Sequence, residues 1–403
     1  MSVDAATSRN VARRLPGATV LQIVPALVDD PAARAAVNIA SALLRSGARA
    51  MVAGGPGMLV GQLQALGGEW VQFASASRNP FRVRSNANAL TELIGNERID
   101  IVHAYCGPAA WSARTAMRDT GAWLVTSHAG APSERRDLAS LYEGSLVRGH
   151  RVIAESEYAG DLILKRYDVS ADHMAAIPRS IDTARFDPSG VSPERLAVLR
   201  HSWGIRPGWR VVLVPGRMSD AKGQMAVVDA VRILVNGGMR GVVFVIAGNN
   251  DSDADYARAM AERIEAQGIG GLVRRVGHCA DMPAAYAIAD FVVIPAVEPT
   301  TFDVMAVEAQ AMARPVIATA IGAFSELVLA PPRVSEAERT GWLAGPSDPI
   351  ALARAIAAAL ALDLQTRHMI AVHARRHAEL RFSPARVAAA VLGLYTSLLE
   401  GER

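Results

Sequence analysis

The sequence is poor in cysteine, aromatic residues and net charge, and each shortage excludes a class of protein. Its 403 residues include two cysteines, Cys106 and Cys279, which lie too far apart for a disulfide framework or a cysteine zinc site. Aromatic residues make up 5% of the chain, which argues against stacking of single-stranded nucleic acid on aromatic rings. A formal net charge of +3 is too small for a protein that tracks DNA phosphates, so no nucleic-acid partner is expected.

Long apolar segments are also missing. The longest candidates, residues 291–297 and 355–362, fall short of the ~18 residues that a membrane-spanning helix needs. Two prolines and a glycine interrupt the apolar stretch 15–28, so a first β-strand is favoured there over a cleaved signal sequence. With few cysteines and no such segment, the sequence predicts a cytoplasmic protein.

Short, continuous apolar segments alternate with longer helical stretches along the chain. The sequence predicts strands at residues 19–24, 48–54, 99–104, 123–128, 151–156, 210–216, 242–248, 273–278, 290–296 and 314–320. Because these segments do not alternate apolar with polar residues, both of their faces are expected to be buried, as in a parallel sheet covered by helices. The pattern occurs twice, on either side of a proline-containing segment, 177–196. We therefore predict an α/β protein of two facing, doubly wound, Rossmann-like domains with a ligand cleft between them.

The loop after the predicted strand 210–216 reads GRMSDAKG and holds two cations, Arg217 and Lys222. Backbone N–H groups at the start of the following helix would add to their attraction for a diphosphate. The chain has 42 lysines and arginines, but only two of them, Lys165 and Lys222, are lysines. The use of lysine rather than arginine in this loop indicates that the position requires a compact point charge. This favours a phosphate-binding loop over a loop that is merely basic and solvated.

A second informative segment, 297–319, follows the predicted strand 290–296. It contains a predicted helix from about residue 304 to 313, for which Asp303 is a candidate N-cap. The first turn of such a helix favours anions. Glu308 lies one turn into the helix.

Together these motifs resemble glycosyltransferase family 4, the group 1 retaining glycosyltransferases of the GT-B fold, over most of the chain. The resemblance implies that Arg217 and Lys222 bind a nucleotide diphosphate and that Glu308 binds the ribose hydroxyls. It also implies an acceptor-side domain (1–188), a nucleotide-sugar-binding domain (189–380) and a closing helix (381–403) that crosses back to the first domain. The implied nucleotide-sugar site comprises Gly216, Arg217, Lys222, Val276, Gly277, His278, Glu298, Thr300, Thr301, Phe302, Asp303, Val304 and Glu308, with Val276, Gly277 and His278 next to the base.

Four positions on the sugar and acceptor side depart from the family pattern. Thr300 stands where the family has a sugar-binding glutamate, with Glu298 two residues too early, and Asp303 stands where it has a glycine. The N-terminal loop reads VDDPAAR in place of a glycine pair. After the strand 123–127, Ala129 aligns with the family's histidine and His128 falls one residue early. A carboxylate beside a diphosphate is repulsive unless a cation intervenes.

The sequence therefore predicts a retaining glycosyltransferase that moves a sugar from a UDP- or GDP-linked donor to a saccharide or lipid-linked acceptor, as in cell-envelope polysaccharide or lipopolysaccharide synthesis. Arg217 and Lys222 would stabilise the leaving diphosphate, with His128 as the candidate base. The departures leave open a second interpretation, a nucleotide-binding pseudo-enzyme that acts as a scaffold. A phosphorylase or epimerase on the same architecture is a more distant third.

Two further motifs can be interpreted either as functional or as ordinary structural features. The acidic run 251–255 resembles a metal-binding motif, but acidic residues there are typical of a helix start, so no metal and no resident cofactor are expected. The segment 78–84 interleaves Phe81 with three arginines. It is either a contact with anionic lipid at the inner face of the membrane or a plain exposed loop before a helix at 86–94.

Overall fold

The computed structural model describes residues 15–133, 137–249 and 253–401. The chain forms two compact units, 1–180 with 384–403, and 181–383. These divisions differ by eight and three residues from the predicted boundaries at 188/189 and 380/381. The reason is hydrogen bonding within the second unit: Ile181 N–H donates to Phe382 O at 2.9 Å, and the Arg375 guanidinium donates to Phe186 O at 2.6 Å.

The first unit is built on a seven-stranded parallel sheet of order β3-β2-β1-β4-β5-β6-β7. Its strands are Thr19–Ala26 (β1), Arg49–Gly55 (β2), Glu69–Gln72 (β3), Ile101–Ala104 (β4), Trp123–His128 (β5), Arg151–Ala154 (β6) and Met174–Ala176 (β7). Its helices are Pro31–Arg45 (α1), Leu59–Ala65 (α2), Pro80–Glu97 (α3), Gly107–Thr120 (α4), Leu138–Glu143 (α5) and Glu157–Arg166 (α6). Apolar clusters cover both faces of the sheet, as the continuous apolar strands predict.

The second unit repeats the design with a six-stranded parallel sheet of order β10-β9-β8-β11-β12-β13. Its strands are Arg210–Pro215 (β8), Val242–Ala247 (β9), Val273–Gly277 (β10), Phe291–Ile294 (β11), Val316–Thr319 (β12) and Gly341–Ala344 (β13). Its helices are Pro193–Ser202 (α7), Gln224–Asn236 (α8), Ala254–Ala266 (α9), Met282–Ile288 (α10), Val304–Ala311 (α11), Phe324–Leu327 (α12), Pro349–Ala361 (α13) and Leu364–Phe382 (α14). The prediction of two doubly wound parallel sheets is confirmed.

The last helix, Pro384–Glu400 (α15), packs on α1 in the first unit, where it buries Val391, Tyr395 and Leu398. By length and composition alone, the stretch Leu364–Glu400 is apolar enough to cross a membrane. It consists of two helices separated at Ser383, and each helix buries residues in its own unit. Both helices therefore contribute to the packed cores of the two units.

One local expectation needs correction. Residues 78–84 are not a loop before the helix, because Asn79 caps α3 through bonds from Phe81 N and Arg82 N, and the helix starts at Pro80. Phe81 is 86% exposed in its first turn. In the segment that replaces the family's glycine pair, Asp30 caps α1 by accepting from Ala33 N at 2.8 Å, and Pro31 opens the helix. Proline is well tolerated at a first helical position because its missing N–H would have no partner there.

Candidate functional site

The best-equipped ligand position lies in the second unit, where the strand order reverses between β8 and β11. All strands of this sheet run in parallel, so the loops that follow β8, β9, β10 and β11 leave from the same edge. Crevices at such switch points are the usual ligand sites of doubly wound sheets. Most of the residues predicted to bind the nucleotide sugar lie on these loops or on the first turns of the helices that follow them.

The loop after β8 has a backbone that only glycine accommodates at two positions. Gly216 has a φ of +129°, and Gly223, which precedes α8, has a φ of +70°. A β-carbon at Gly223 would lie 2.0 Å from Pro295 O, so the loop is tightly apposed to the end of β11. Val297 N–H donates to Ala221 O at 2.9 Å and joins the same two loops. The buried Gln224 side chain donates to Arg217 O at 2.8 Å and fixes the first half of the loop.

The two cations of this loop differ in their surroundings. Arg217 is exposed and forms no ion pair with the residues that the structure describes. The Lys222 ammonium lies 3.3 Å from Asp303 Oδ2, and the Asp303 side chain is only 2% exposed. Asp303 stands where the family has a glycine, and Lys222 is the cation that neutralises its negative charge. A diphosphate at this loop would share Lys222 with Asp303.

In the first turns of the helices near this loop, some backbone N–H groups already have hydrogen-bond partners. Met225 N–H of α8 donates to the Tyr256 hydroxyl at 3.0 Å, and Ala306 N–H of α11 donates to Asp303 Oδ1 at 3.1 Å. The predicted cap by Asp303 is therefore confirmed. The expectation that the first turn of α8 leaves its N–H groups free for an anion is wrong for Met225, because a buried tyrosine hydroxyl needs a partner.

Glu308 lies on the second turn of α11, where its half-buried carboxylate accepts a hydrogen bond from the Tyr286 hydroxyl at 3.1 Å. Burial raises the pKa of Glu308 to about 7, and the nearby Asp303 acts in the same direction. The Tyr286 bond and the positive charge of Arg185 lower it. Near neutral pH this carboxyl therefore exists in both protonation states, and the ionised form is a strong acceptor for paired hydroxyls.

The remaining predicted contacts occupy neighbouring loops. Gly277 ends β10 with a φ of +67° and accepts from Gly248 N at 2.8 Å, while the side chain of His278 is exposed. Thr300 donates to Phe302 O at 2.9 Å and its own carbonyl accepts from Ala323 N at 2.8 Å. Of the other members, Glu298 and Val304 are exposed, Thr301 and Phe302 are buried, and Val276 is half-buried.

The candidate base His128 belongs to the first unit. It is the last residue of β5 and is 2% exposed, with Nε2 lying 3.2 Å from Glu143 Oε1. Burial lowers the pKa of His128, and the charge of Glu143 opposes that shift. The histidine is therefore held mainly neutral beside a carboxylate, which is the protonation state that a base requires.

Models of known families match both halves of the chain. The model described as glycosyl transferases group 1 matches residues 209–361, and the model described as glycosyltransferase family 4 matches residues 32–185. The chain belongs to the group 1 glycosyltransferases of family 4.

Individual relatives of this glycosyltransferase are distant. The D-inositol 3-phosphate glycosyltransferase of Salinispora tropica is 29% identical over 73% of this chain, a match that spans 63% of that relative, slightly less than two thirds of its length. A glycosyltransferase structure from Rickettsia africae is 26% identical with a TM-score of 0.79, covering 96% of this chain and 100% of the other. Anabaena HepE in complex with UDP is 21% identical with a TM-score of 0.73, covering 94% and 100%. The glycosyltransferase has the GT-B fold.

The acidic motif 251–255 lies partly outside the described residues, which exclude Asp251. Asp253 caps α9 by accepting from Tyr256 N at 2.9 Å, and Asp255 pairs with Arg258 at 2.9 Å. Over the described ranges, no three His, Cys, Asp or Glu side chains are grouped as a metal would need. The described part of this motif therefore starts a helix.

Three residues that shape this site were not predicted from the sequence. Gln224 holds the carbonyl of Arg217, Tyr256 bonds the start of α8, and Tyr286 bonds Glu308. The two tyrosines lie on the buried faces of their helices, among apolar residues whose pattern is typical of core packing. Only the position of Gln224, directly after Gly223, carried a signal that could have singled it out.

Proposed function

We propose that this glycosyltransferase moves a sugar, with retention of anomeric configuration, from a nucleotide-diphosphate sugar to a hydroxyl of a saccharide or lipid-linked acceptor in the cytoplasm. The observation that carries the proposal is the arrangement at one sheet edge of Arg217, Lys222 and Glu308, on loops and a helix next to the β8–β11 switch point. The second unit thereby provides both the cations that a diphosphate requires and the carboxylate that ribose hydroxyls require.

The chemistry follows from the charge that develops during transfer. As the bond between the anomeric carbon and the diphosphate oxygen breaks, negative charge grows on the diphosphate. The exposed guanidinium of Arg217 and the ammonium of Lys222 stabilise that charge, and each such preorganised donor contributes about 2.7–4 kcal/mol to the transition state. Asp303 pairs with Lys222 at 3.3 Å, so the diphosphate competes with this carboxylate for the ammonium.

The acceptor is the least constrained partner. The Salinispora relative carries the name of an enzyme acting on a phosphorylated inositol. An acceptor panel therefore includes inositol 3-phosphate beside oligosaccharides and lipid-linked saccharides. The HepE structure holds UDP, so UDP-glucose leads a donor panel that also contains GDP-linked sugars.

The test measures transfer and donor hydrolysis by the purified protein over this panel, with calorimetric binding of UDP and GDP in parallel. Turnover with any donor, and a product that keeps the donor's anomeric configuration, is the expected result. Binding of a nucleoside diphosphate with no turnover over the whole panel would support the pseudo-enzyme interpretation. Absence of both would overturn the proposed function.

A further inference from the structure

Glu308 receives a hydrogen bond from a residue of another helix. The Tyr286 hydroxyl, on α10, donates to Glu308 Oε2 at 3.1 Å, across 22 positions in the sequence. Tyr286 is fully buried. A buried tyrosine hydroxyl needs a hydrogen-bond partner, and Glu308 is the partner here.

The position of Tyr286 is fixed by its surroundings. Asp281 caps α10 by accepting from Ala284 N at 3.1 Å, and it is held in turn by Arg195 through bonds of 2.6 and 2.9 Å. The ring of Phe186 packs edge-on against the Tyr286 ring, with the centroids 6.0 Å apart. The hydroxyl is therefore a donor at a defined place, and the carboxylate takes its orientation from it.

Charged groups from several elements face Glu308. Arg185, in the segment before α7, favours the ionised carboxylate, and Asp303 at the start of α11 disfavours it. The helix α14 also packs against α11, and its Arg375 donates to Ala311 O and Phe186 O. His377 on α14 is buried, which lowers its pKa to about 4 and keeps it neutral. Tyr286 is thus the residue that bonds the ionised form directly.

We propose that Tyr286 is a positioning residue for nucleotide binding, because its hydroxyl holds Oε2 of Glu308 so that the carboxylate presents its remaining lone pairs to the ribose hydroxyls. The inference rests on the proposed role of Glu308. It assigns Tyr286 no contact with the substrate. It also explains why a polar group is kept on a helix that otherwise buries apolar residues.

The proposal makes a prediction for the pH dependence of binding. Ribose hydroxyls bond best to the ionised carboxylate, so affinity should rise as the pH rises through the Glu308 pKa of about 7. Replacing Tyr286 with Phe removes a bond that lowers this pKa. The rise should therefore move to higher pH, with affinity about tenfold weaker at pH 7, and part of the loss should persist at pH 9 because the ionised carboxylate is then no longer held in place.

The experiment is calorimetry with UDP and GDP between pH 5.5 and 9 on wild type, Tyr286→Phe, Glu308→Gln and the double variant. Glu308→Gln should remove the part of the rise that Glu308 contributes and leave the part due to the terminal phosphate of the nucleotide, which titrates at about pH 6. Tyr286→Phe should then cost little more. Tyr395→Phe serves as the control, because it removes a buried tyrosine hydroxyl from the first unit, where that hydroxyl contacts His103. Thermal melting checks that all variants fold.

The outcomes separate the two proposals. If Tyr286→Phe binds UDP or GDP as tightly as wild type and with the same pH profile, the positioning role is overturned and the proposed function still stands. An equal loss of affinity from Tyr286→Phe in the wild-type and Glu308→Gln backgrounds would mean a purely structural role and would also overturn it. Failure of wild type to bind UDP or GDP at any pH would overturn the proposed function and this inference with it.

Discussion

The two units share the same strand order around their switch points but carry different chemistry there. In the first unit, His103 on β4 contacts the Tyr395 hydroxyl at 2.7 Å and Ser127 Oγ at 2.8 Å, and the Tyr105 hydroxyl donates to Gln22 Oε1 at 2.9 Å. In the second unit, the equivalent edge holds exposed or half-buried ionisable groups, Arg217, Lys222 and Glu308.

The difference shows what topology decides and what it leaves to the residues. Both folds provide a switch point, but in the first unit the returning helix α15 brings Tyr395 to His103 and completes a buried network of neutral groups. In the second unit no such closure occurs among the described residues, and the charges remain available to a ligand. Polar groups near a switch point therefore form a buried network in one unit and stay partly exposed in the other.

The largest expected effect is a loss of stability of the first unit at acidic pH. Burial lowers the pKa of His103 to about 3. Its unfolded pKa is near 6.5, so the unfolded chain binds more protons in between, and stability falls as the pH falls from about 6.5 towards 3. The loss is on the order of 1.4 kcal/mol per pH unit within that window.

Urea unfolding of wild type and His103→Gln between pH 4 and 8 measures this effect. Glutamine keeps hydrogen-bonding capacity without a titrating group, so its pH dependence should be shallower although its stability at pH 8 is lower. Other histidines titrate equally in both proteins and cancel in the difference. If the stability of the two proteins depends on pH in the same way, the buried network does not favour the neutral form of the His103 imidazole.

Loss of either loop cation should have the next largest effect. Arg217→Ala and Lys222→Ala should each weaken UDP or GDP binding about tenfold or more, because a bond to a charged group contributes about 1.5–3 kcal/mol. Calorimetry measures the affinity. The matched control is Lys165→Ala, which removes the chain's other lysine from an exposed position in the first unit. Equal affinity in wild type and both loop variants would remove the assigned contrast between the units.

Central features of both units were predictable from sequence because they rest on continuous burial. The ten strands predicted from apolar segments all exist, whereas β3, β7 and β13 were missed. Two of these are short strands at the edges of the first sheet, and their half-exposed residues give no continuous apolar signal. The third, β13, is the edge strand of the second sheet.

The candidate site divides in the same way between local and distant information. The positions of Arg217 and Lys222 follow from the sequence of one loop, whereas the role expected of Glu308 follows from the family resemblance. The ion pair of Lys222 with Asp303, 81 residues apart, and the Tyr286 bond to Glu308 join separate elements. No local pattern specifies such pairs, because they depend on which strands become neighbours.

Removing the charge of Asp303 should have a smaller effect, of opposite sign. Asp303→Asn keeps an oxygen that caps α11 but ends the competition for Lys222, so UDP or GDP should bind about threefold to tenfold more tightly. If this carboxylate also holds the donor sugar, the sugar nucleotide should lose its advantage over the free diphosphate. Asp348→Asn, at the exposed cap of α13, is the control. Unchanged affinity for the free diphosphate would show that Asp303 does not compete for Lys222.

The smallest expected effect is that of a chelator, which should leave UDP or GDP binding and turnover within about twofold of the untreated protein. Cationic side chains suffice to neutralise a leaving diphosphate where they are preorganised next to it, and Arg217 and Lys222 lie on one short loop. Asp303, the buried carboxylate nearest to that loop, already uses one oxygen on Ala306 N and the other on Lys222. It would have to give up both contacts to bind a cation. A strict requirement for manganese or magnesium, measured by titrating metal back after EDTA, would mean that it does so, and that the charge balance of the second unit depends on a metal ion as well as on its side chains.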